Sequence, residues 1–257
     1  MNLELNQRVA LVTGASQGIG RAIAAKLAQE GASVVLTARG EDRLNQVVSE
    51  IQAAGGKAIG VAADVSKKED CERLIQFTVE KFGKIDILIN NAGTSATGEF
   101  EAATDDIWQA DFDLKLFAAI RLSRLAIPYM KKQSWGRIIN LTNIGAKQPA
   151  AKTMPTTVTR AAGLALTKAL SKEYAANNIL VNSICIGLIK AGQHETKAAK
   201  AGVPIDQWYD NLAKTVPLGR VGRAEEVANV AAFLASEAAS YVTGSSINLD
   251  GGTSGVM

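Results

Sequence analysis

Residues 13-TGASQGIG-20 place three glycines where the β-branched run RVALVT gives way to a helical pattern. Gly14 permits a tight turn, Gly18 lets backbone approach a pyrophosphate and Gly20 allows close helix–strand packing, while Ser16, Gln17 and Ile19 complete a loop that ends in free helix N–H groups. That is the chemistry of a dinucleotide cradle. At the end of the next β-rich run, 36-LTARGEDR-43 has Ala38 where an acidic residue would hold a ribose 2′-hydroxyl, and Arg39 beside it. A guanidinium fork grips a 2′-phosphate bidentately, which favours NADP(H) over NAD(H), although Glu41 and Asp42 are close enough to pair with the same arginine. A third constellation lies in 154-MPTTVTRAAGLALTKAL-170, where Thr156 and Arg160, four residues apart, share one helix face behind Pro155.

These residues need elements to position them. RVALVTG, SVVLTAR, AIGVAADV, IDILINNAG, RIINLT, LVNSICI and SSINLD alternate with helical stretches, among them RAIAAKLAQEG, a helix around 107–131 and EEVANVAAFLAS. Seven strands separated by helices predict an α/β, single-domain Rossmann-type doubly wound fold over 1–257, with a seven-stranded parallel sheet and helices on both faces. The one long break, 190–217, carries Trp208 and Tyr209 and reads as a substrate lid. The fifth and sixth strands flank the Thr156 helix, so their C-terminal loops, that helix and the lid are expected to meet at one crevice.

Bulk properties narrow the partners. With 257 residues and 47% apolar content the chain can fill a large core, and 28 Lys+Arg against 25 Asp+Glu leaves a net charge of +3 without a basic stripe. Nucleic acid and membrane are therefore excluded as expected partners. Cys71 and Cys185 lie far apart without a CxxC spacing, and the chain has one histidine, so no metal site is expected and both cysteines read as core residues. No apolar run approaches 18 residues and the N-terminus lacks a secretory pattern, which points to a cytoplasmic location.

TGxxxGxG at 13–20, Asp64-Val65 after the third strand, 90-NNAG-93 after the fourth and 243-TGSSINLDGG-252 near the end together resemble the short-chain dehydrogenase/reductase family over essentially the whole chain. The resemblance is to its 3-oxoacyl-carrier-protein reductase branch. It implies that Asp64 and Val65 flank an adenine, that Asn91, Ala92 and Gly93 line the ribose and nicotinamide wall, and that the protein assembles as a homotetramer (or homodimer). It also implies a catalytic Asn, Ser, Tyr and Lys, in which the phenol exchanges a proton with the substrate oxygen and the lysine lowers its pKa. At the matching positions this chain has Lys115, Asn143, Thr156 and Arg160. The Pro-Gly pair and threonine expected after the sixth strand are Ile186-Gly187 and Ala191.

From side-chain chemistry, Thr156 can orient a substrate oxygen but donates protons poorly, Arg160 keeps a fixed charge, Asn143 can hydrogen-bond a carbonyl and Lys115 adds a cation near the water site. Replacement acids to consider are Tyr209, His194, Lys147 and Lys152. Tyr209 is expected to pack, and the others to be solvated, while Tyr129, Tyr174 and Tyr241 read as packing residues. The resulting reading is an NADP(H)-dependent oxidoreductase acting on a small molecule with a carbonyl or activated C=C bond. Its alternative is a catalytically silent NADP(H)-binding sensor or partner subunit, and non-redox lyase or dehalogenase chemistry stands third.

Overall fold

A computed structural model describes residues 3–257, apart from the side chain of Gln193. Its strands and helices follow in the order β1 (Val9–Thr13), α1 (Gly18–Gln29), β2 (Ser33–Ala38), α2 (Glu41–Ala53), β3 (Lys57–Ala62), α3 (Lys68–Phe82) and β4 (Ile87–Asn90). After these come β5 (Thr97–Gly98), α4 (Asp105–Phe112), a π-helical turn (Asp113–Phe117), α5 (Ala118–Lys132) and β6 (Gly136–Asn143). The chain ends with β7 (Met154–Pro155), α6 (Thr156–Tyr174), β8 (Ile179–Ile186), α7 (Gly192–Ala201), α8 (Ile205–Ala213), α9 (Ala224–Leu234) and β9 (Ser246–Leu249).

The seven expected strands form one sheet in the order β3-β2-β1-β4-β6-β8-β9, and every pairing in it is parallel. Alternate residues along each strand serve opposite layers. Val12, Val34 and Leu36 join Ile23, Leu27 and Val227 on one face, whereas Leu11 and Val35 join Leu74, Leu122 and Ile138 on the other. Each of these buried side chains contributes roughly 1.5–3 kcal/mol of transfer free energy, so the two packed layers hold the strand ends rigidly. Strand order reverses between β1 and β4, which opens a crevice at their C-terminal ends.

Three features depart from the sequence reading. The expected helix around 107–131 is two α-helical segments joined by the π turn, and Lys115 sits at the centre of that turn. Turns of this kind change which face a side chain serves and are common at functional sites. In addition, β5 and β7 pair antiparallel, Thr97 with Pro155 and Gly98 with Met154, which ties the segment after NNAG to the start of α6. Pro155 caps that helix rather than beginning it. The 190–217 stretch contains α7 and α8.

Candidate active site

The crevice at the strand ends is a cleft of about 780 Å³, within the range of small-molecule sites. Every predicted cofactor residue lines it: Gly14, Ser16, Gln17, Gly18, Ile19, Gly20, Arg39, Asp64, Val65, Asn91, Ala92 and Gly93. Gly14 has a φ of +64°, the left-handed conformation that its turn requires. At Gly20 an added Cβ would collide with the Gly14 carbonyl and stand 2.5 Å from Asn91 Nδ2, so only glycine allows α1 to pack here. Asn91 fixes the same turn by donating from Nδ2 to the Thr13 carbonyl at 2.8 Å, and Thr13 Oγ1 accepts the backbone N–H groups of Asn91 and Ala92. No side chain caps α1, so its first N–H groups remain available for an anion.

The end of the cleft beyond β2 carries both signs of charge, with Arg39 and Arg43 beside Glu41, Asp42 and Asp64. Arg39 is exposed and, among the described residues, forms no ion pair with Glu41 or Asp42. Arg43, a turn further on, also lines the cleft and donates to Gln17 Oε1 at 3.1 Å. Sequence reading missed Arg43, although its spacing of four from Arg39 across the start of α2 was available as a signal. Asp64 Oδ1 accepts from the Ser66 hydroxyl at 2.7 Å and from the Ser66 N–H at 3.1 Å, so its carboxylate also shapes the loop after β3.

The four catalytic-position residues are brought together, but not as side-chain chemistry alone indicated. Thr156 was expected to orient a substrate oxygen; its hydroxyl is already fully engaged. Oγ1 donates to the Ala96 carbonyl at 3.0 Å and accepts the Ala96 N–H at 2.9 Å and Lys115 Nζ at 2.8 Å. One hydrogen and two lone pairs are the whole capacity of a hydroxyl. Ala96 is held in place by the β5–β7 ribbon.

Lys115 was expected as a cation near a water site. Its side chain is instead fully buried, pairing closely with Asp111 Oδ1 one turn earlier while also donating to Thr156. Asp111 Oδ2 accepts the Thr159 hydroxyl at 2.6 Å. Burial lowers the Lys115 pKa to about 8, with the hydrogen bond it donates to Asp111 opposing the shift and the nearby Arg160 charge adding to it. Asp111 was missed because an acidic residue one helical turn before a lysine reads as a surface pair until both are found buried.

Arg160 donates from Nη1 to the Leu141 carbonyl at 2.5 Å and packs so closely on Gly93 that a Cβ there would meet Nη2 at 2.5 Å. Desolvation brings its pKa down to about 10, so it stays charged at neutral pH. Among the described residues its Nε, Asn143 Oδ1 and Thr142 Oγ1 are buried without partners in the wall of the cleft. Orphaned polar atoms beside an open cradle fit a polar ligand such as a nicotinamide riboside. The residues present therefore suit a bound dinucleotide.

The proposed replacement acids separate. His194, read as solvated, is buried in the cleft wall, where Nδ1 accepts from Trp208 Nε1 at 3.4 Å; desolvation, together with the Lys197 charge, lowers its pKa. Its burial comes from α8 folding back on α7, a contact between two lid helices that spacing did not reveal. Lys147, also read as solvated, donates at 2.6 Å to both the Ser246 carbonyl and Asn248 Oδ1 and so pins β9. Tyr241, read as a packing residue, is fully exposed because it lies in the turn before β9 rather than on a helix face. Tyr209 packs against His194, and Lys152 is an exposed loop lysine paired with Glu99. Cys71 and Cys185 are free and buried.

Comparison with known proteins agrees with this architecture. Residues 14–254 match the profile of the family described as Enoyl-(Acyl carrier protein) reductase. Dehydrogenase/reductase SDR family member 4 of Homo sapiens is 35% identical over 250 residues, covering 97% of this chain and 88% of that protein. A 3-oxoacyl-[acyl-carrier-protein] reductase of Synechocystis is 38% identical over 250 residues, covering 96% and 97%. L-Sorbose reductase of Gluconobacter frateurii, solved with NADPH and L-sorbose, superposes with a TM-score of 0.95 at 35% identity over the full length of both chains. With the family profile matched from the glycine turn to the end of the last strand, and relatives this similar along their whole length, the chain belongs to the short-chain dehydrogenase/reductase family.

Proposed function

We propose that the protein is an NADP(H)-dependent oxidoreductase that acts on the carbonyl or activated C=C bond of a small molecule, through an active site that lacks the family's Ser, Tyr and Lys. The observation that carries this reading is the intact cradle, with unpartnered polar atoms of Thr142, Asn143 and Arg160 left in its wall. When bound, the reduced nicotinamide supplies hydride. The chain's residues supply the rest: α1 N–H groups neutralise the diphosphate, Arg39 and Arg43 meet a 2′-phosphate, and Asn143 and Arg160 orient oxygen atoms beside the nicotinamide. NADPH in the L-sorbose reductase structure supports NADP(H) over NAD(H), and the acyl-carrier-protein names among the relatives support a thioester substrate.

A second reading, a silent NADP(H)-binding homologue, is favoured by one observation, the complete engagement of the Thr156 hydroxyl. A nicotinamide absorbance assay over 2-enoyl thioesters, 3-oxoacyl thioesters and simple ketones, run beside NADPH calorimetry, separates the two. Turnover supports the enzyme; NADPH binding with inertness toward every class supports the silent homologue.

The same proposal takes α7 and α8 as the substrate lid and the assembly as a homotetramer (or homodimer). An apolar groove between α5 and α6, lined by Ile127, Pro128, Leu166, Leu170 and Tyr174, supports self-association, which light scattering measures. A cytoplasmic location goes with this reading; among the described residues no helix is long and apolar enough to cross a membrane.

A further inference from the structure

The family's proton donor and its lysine lie on one helix, four residues apart. Here the position of the donor is a threonine and the position of the lysine is an arginine, yet a lysine does touch the threonine. It arrives from a different element, the π turn between α4 and α5, and reaches Thr156 Oγ1 at 2.8 Å. Resting on the oxidoreductase reading above, we propose that Lys115 and Thr156 form the proton-donating pair of this enzyme, with Asp111 as a positioning residue behind them.

Three geometric facts support the pair. Lys115 Nζ has two acceptors in fixed places, Asp111 Oδ1 and Thr156 Oγ1, so its proton already points at the hydroxyl. Thr156 Oγ1 accepts two donors, Lys115 Nζ and the Ala96 N–H, and each favours loss of the hydroxyl proton. The hydroxyl's own proton is directed at the Ala96 carbonyl, an acceptor on a short loop held by a two-residue ribbon. Release of both Ala96 contacts together frees one position on the oxygen and lets the hydroxyl turn its proton into the cleft that Thr156 lines. A threonine oxygen stops one bond beyond Cβ, whereas a phenol reaches across a ring, so one water spans the remaining gap to the substrate.

The step balances. Bound NADPH would supply the hydride to the substrate carbon, and the substrate oxygen takes its proton from the bridging water. That water takes the Thr156 hydroxyl proton, Thr156 oxygen takes one from the Lys115 ammonium, and the neutral amine is recharged by the same relay from solvent that reaches Thr156 through the cleft. The transfer is concerted, because a free threonine alkoxide is too basic to accumulate. The charged groups facing Lys115 are Asp111 on α4 and Arg160 on α6. Asp111 favours the ammonium, while Arg160 and burial oppose it, which leaves an acid of pKa about 8. The protonated form is the donor, so turnover is held below that pH and falls above it.

The test measures turnover, cofactor affinity and pH profile together. Thr156→Val keeps the shape and removes the hydroxyl; it is expected to lower turnover by ~10²–10⁴-fold, the usual worth of a general acid, with NADPH affinity unchanged. Thr156→Ser is expected to restore turnover to within about tenfold of the wild type, which a purely structural role for the methyl group would not allow. Lys115→Met leaves a buried carboxylate alone and threatens folding, so the matched double variant Asp111→Leu/Lys115→Met is read beside it, and both should lose the alkaline limb. An active wild type whose turnover and pH profile survive Thr156→Val overturns the pair and leaves the oxidoreductase reading standing. A wild type that binds NADPH yet reduces no thioester or ketone overturns both.

Discussion

The two ends of one cleft obey different rules. At the adenosine and diphosphate end, recognition is proposed to rest mostly on backbone, with glycine turns, uncapped helix N–H groups and an asparagine that braces the loop, beside the Arg39 and Arg43 side chains. At the nicotinamide end it rests on side chains, and there Lys115, Asn143, Thr156 and Arg160 stand in place of the set implied by the family resemblance. Backbone recognition tolerates little substitution because a single Cβ closes it. A side-chain site can be rebuilt by bringing a cation from a neighbouring turn, as the proposed Lys115–Thr156 pair would do. The cofactor cradle and the proton supply can thus diverge separately within one fold.

Four results would break or sharpen that contrast, beginning with the largest. Asp111→Ala removes the carboxylate from a buried lysine and should destabilise the fold by ~3–5 kcal/mol in denaturant unfolding. A loss comparable to an exposed pair, under about 1 kcal/mol, would mean that water reaches Lys115. Gly20→Ala should weaken NADPH binding by roughly 5–150-fold, the equivalent of ~1–3 kcal/mol of overpacking, while leaving the Asp111–Lys115–Thr156 network in place. Unchanged affinity would show that the cradle yields more easily than its contacts imply.

Arg39→Ala and Arg43→Ala should each raise the NADPH dissociation constant by about tenfold and leave NADH nearly unaffected. Equal losses for both cofactors would assign these arginines to the diphosphate instead. The smallest effect is on pH dependence. The folded Lys115 ionises at about 8 against a reference of 10.5, so between those values the unfolded chain holds more protons and stability rises with pH. That rise should be smaller in Asp111→Leu/Lys115→Met. In turnover, Asp111→Asn removes the bond that supports the ammonium and should shift the alkaline limb to lower pH.

The sheet and cradle were legible because their signals are local. Glycines at 14, 18 and 20 and β-branched runs at a regular spacing can be read from neighbours in sequence, and NNAG is a contiguous motif although Asn91 works by bracing the distant Thr13–Gly14 turn. The rewired end was legible only as four unexpected residues. What joins them spans distance: Ala96 meets Thr156 across the β5–β7 ribbon, and Lys115 reaches α6 because a π turn rotates it inward. Apolar periodicity does not report a π turn, and the charge pair Asp111–Lys115 looks the same in sequence whether buried or exposed. The burial of His194 and the anchoring of Lys147 were hidden for a similar reason, since each depends on a partner in another element.

The central claim is that cofactor binding and proton supply are separable in this cleft. It is tested most directly by measuring the NADPH dissociation constant of the wild type and of the Lys115→Met/Thr156→Val double variant by calorimetry, beside their turnover. Of the network only Thr156 lines the cleft, while Lys115 and Asp111 do not, so the affinities should agree within about threefold while turnover collapses. An affinity that falls in step with turnover would contradict the account.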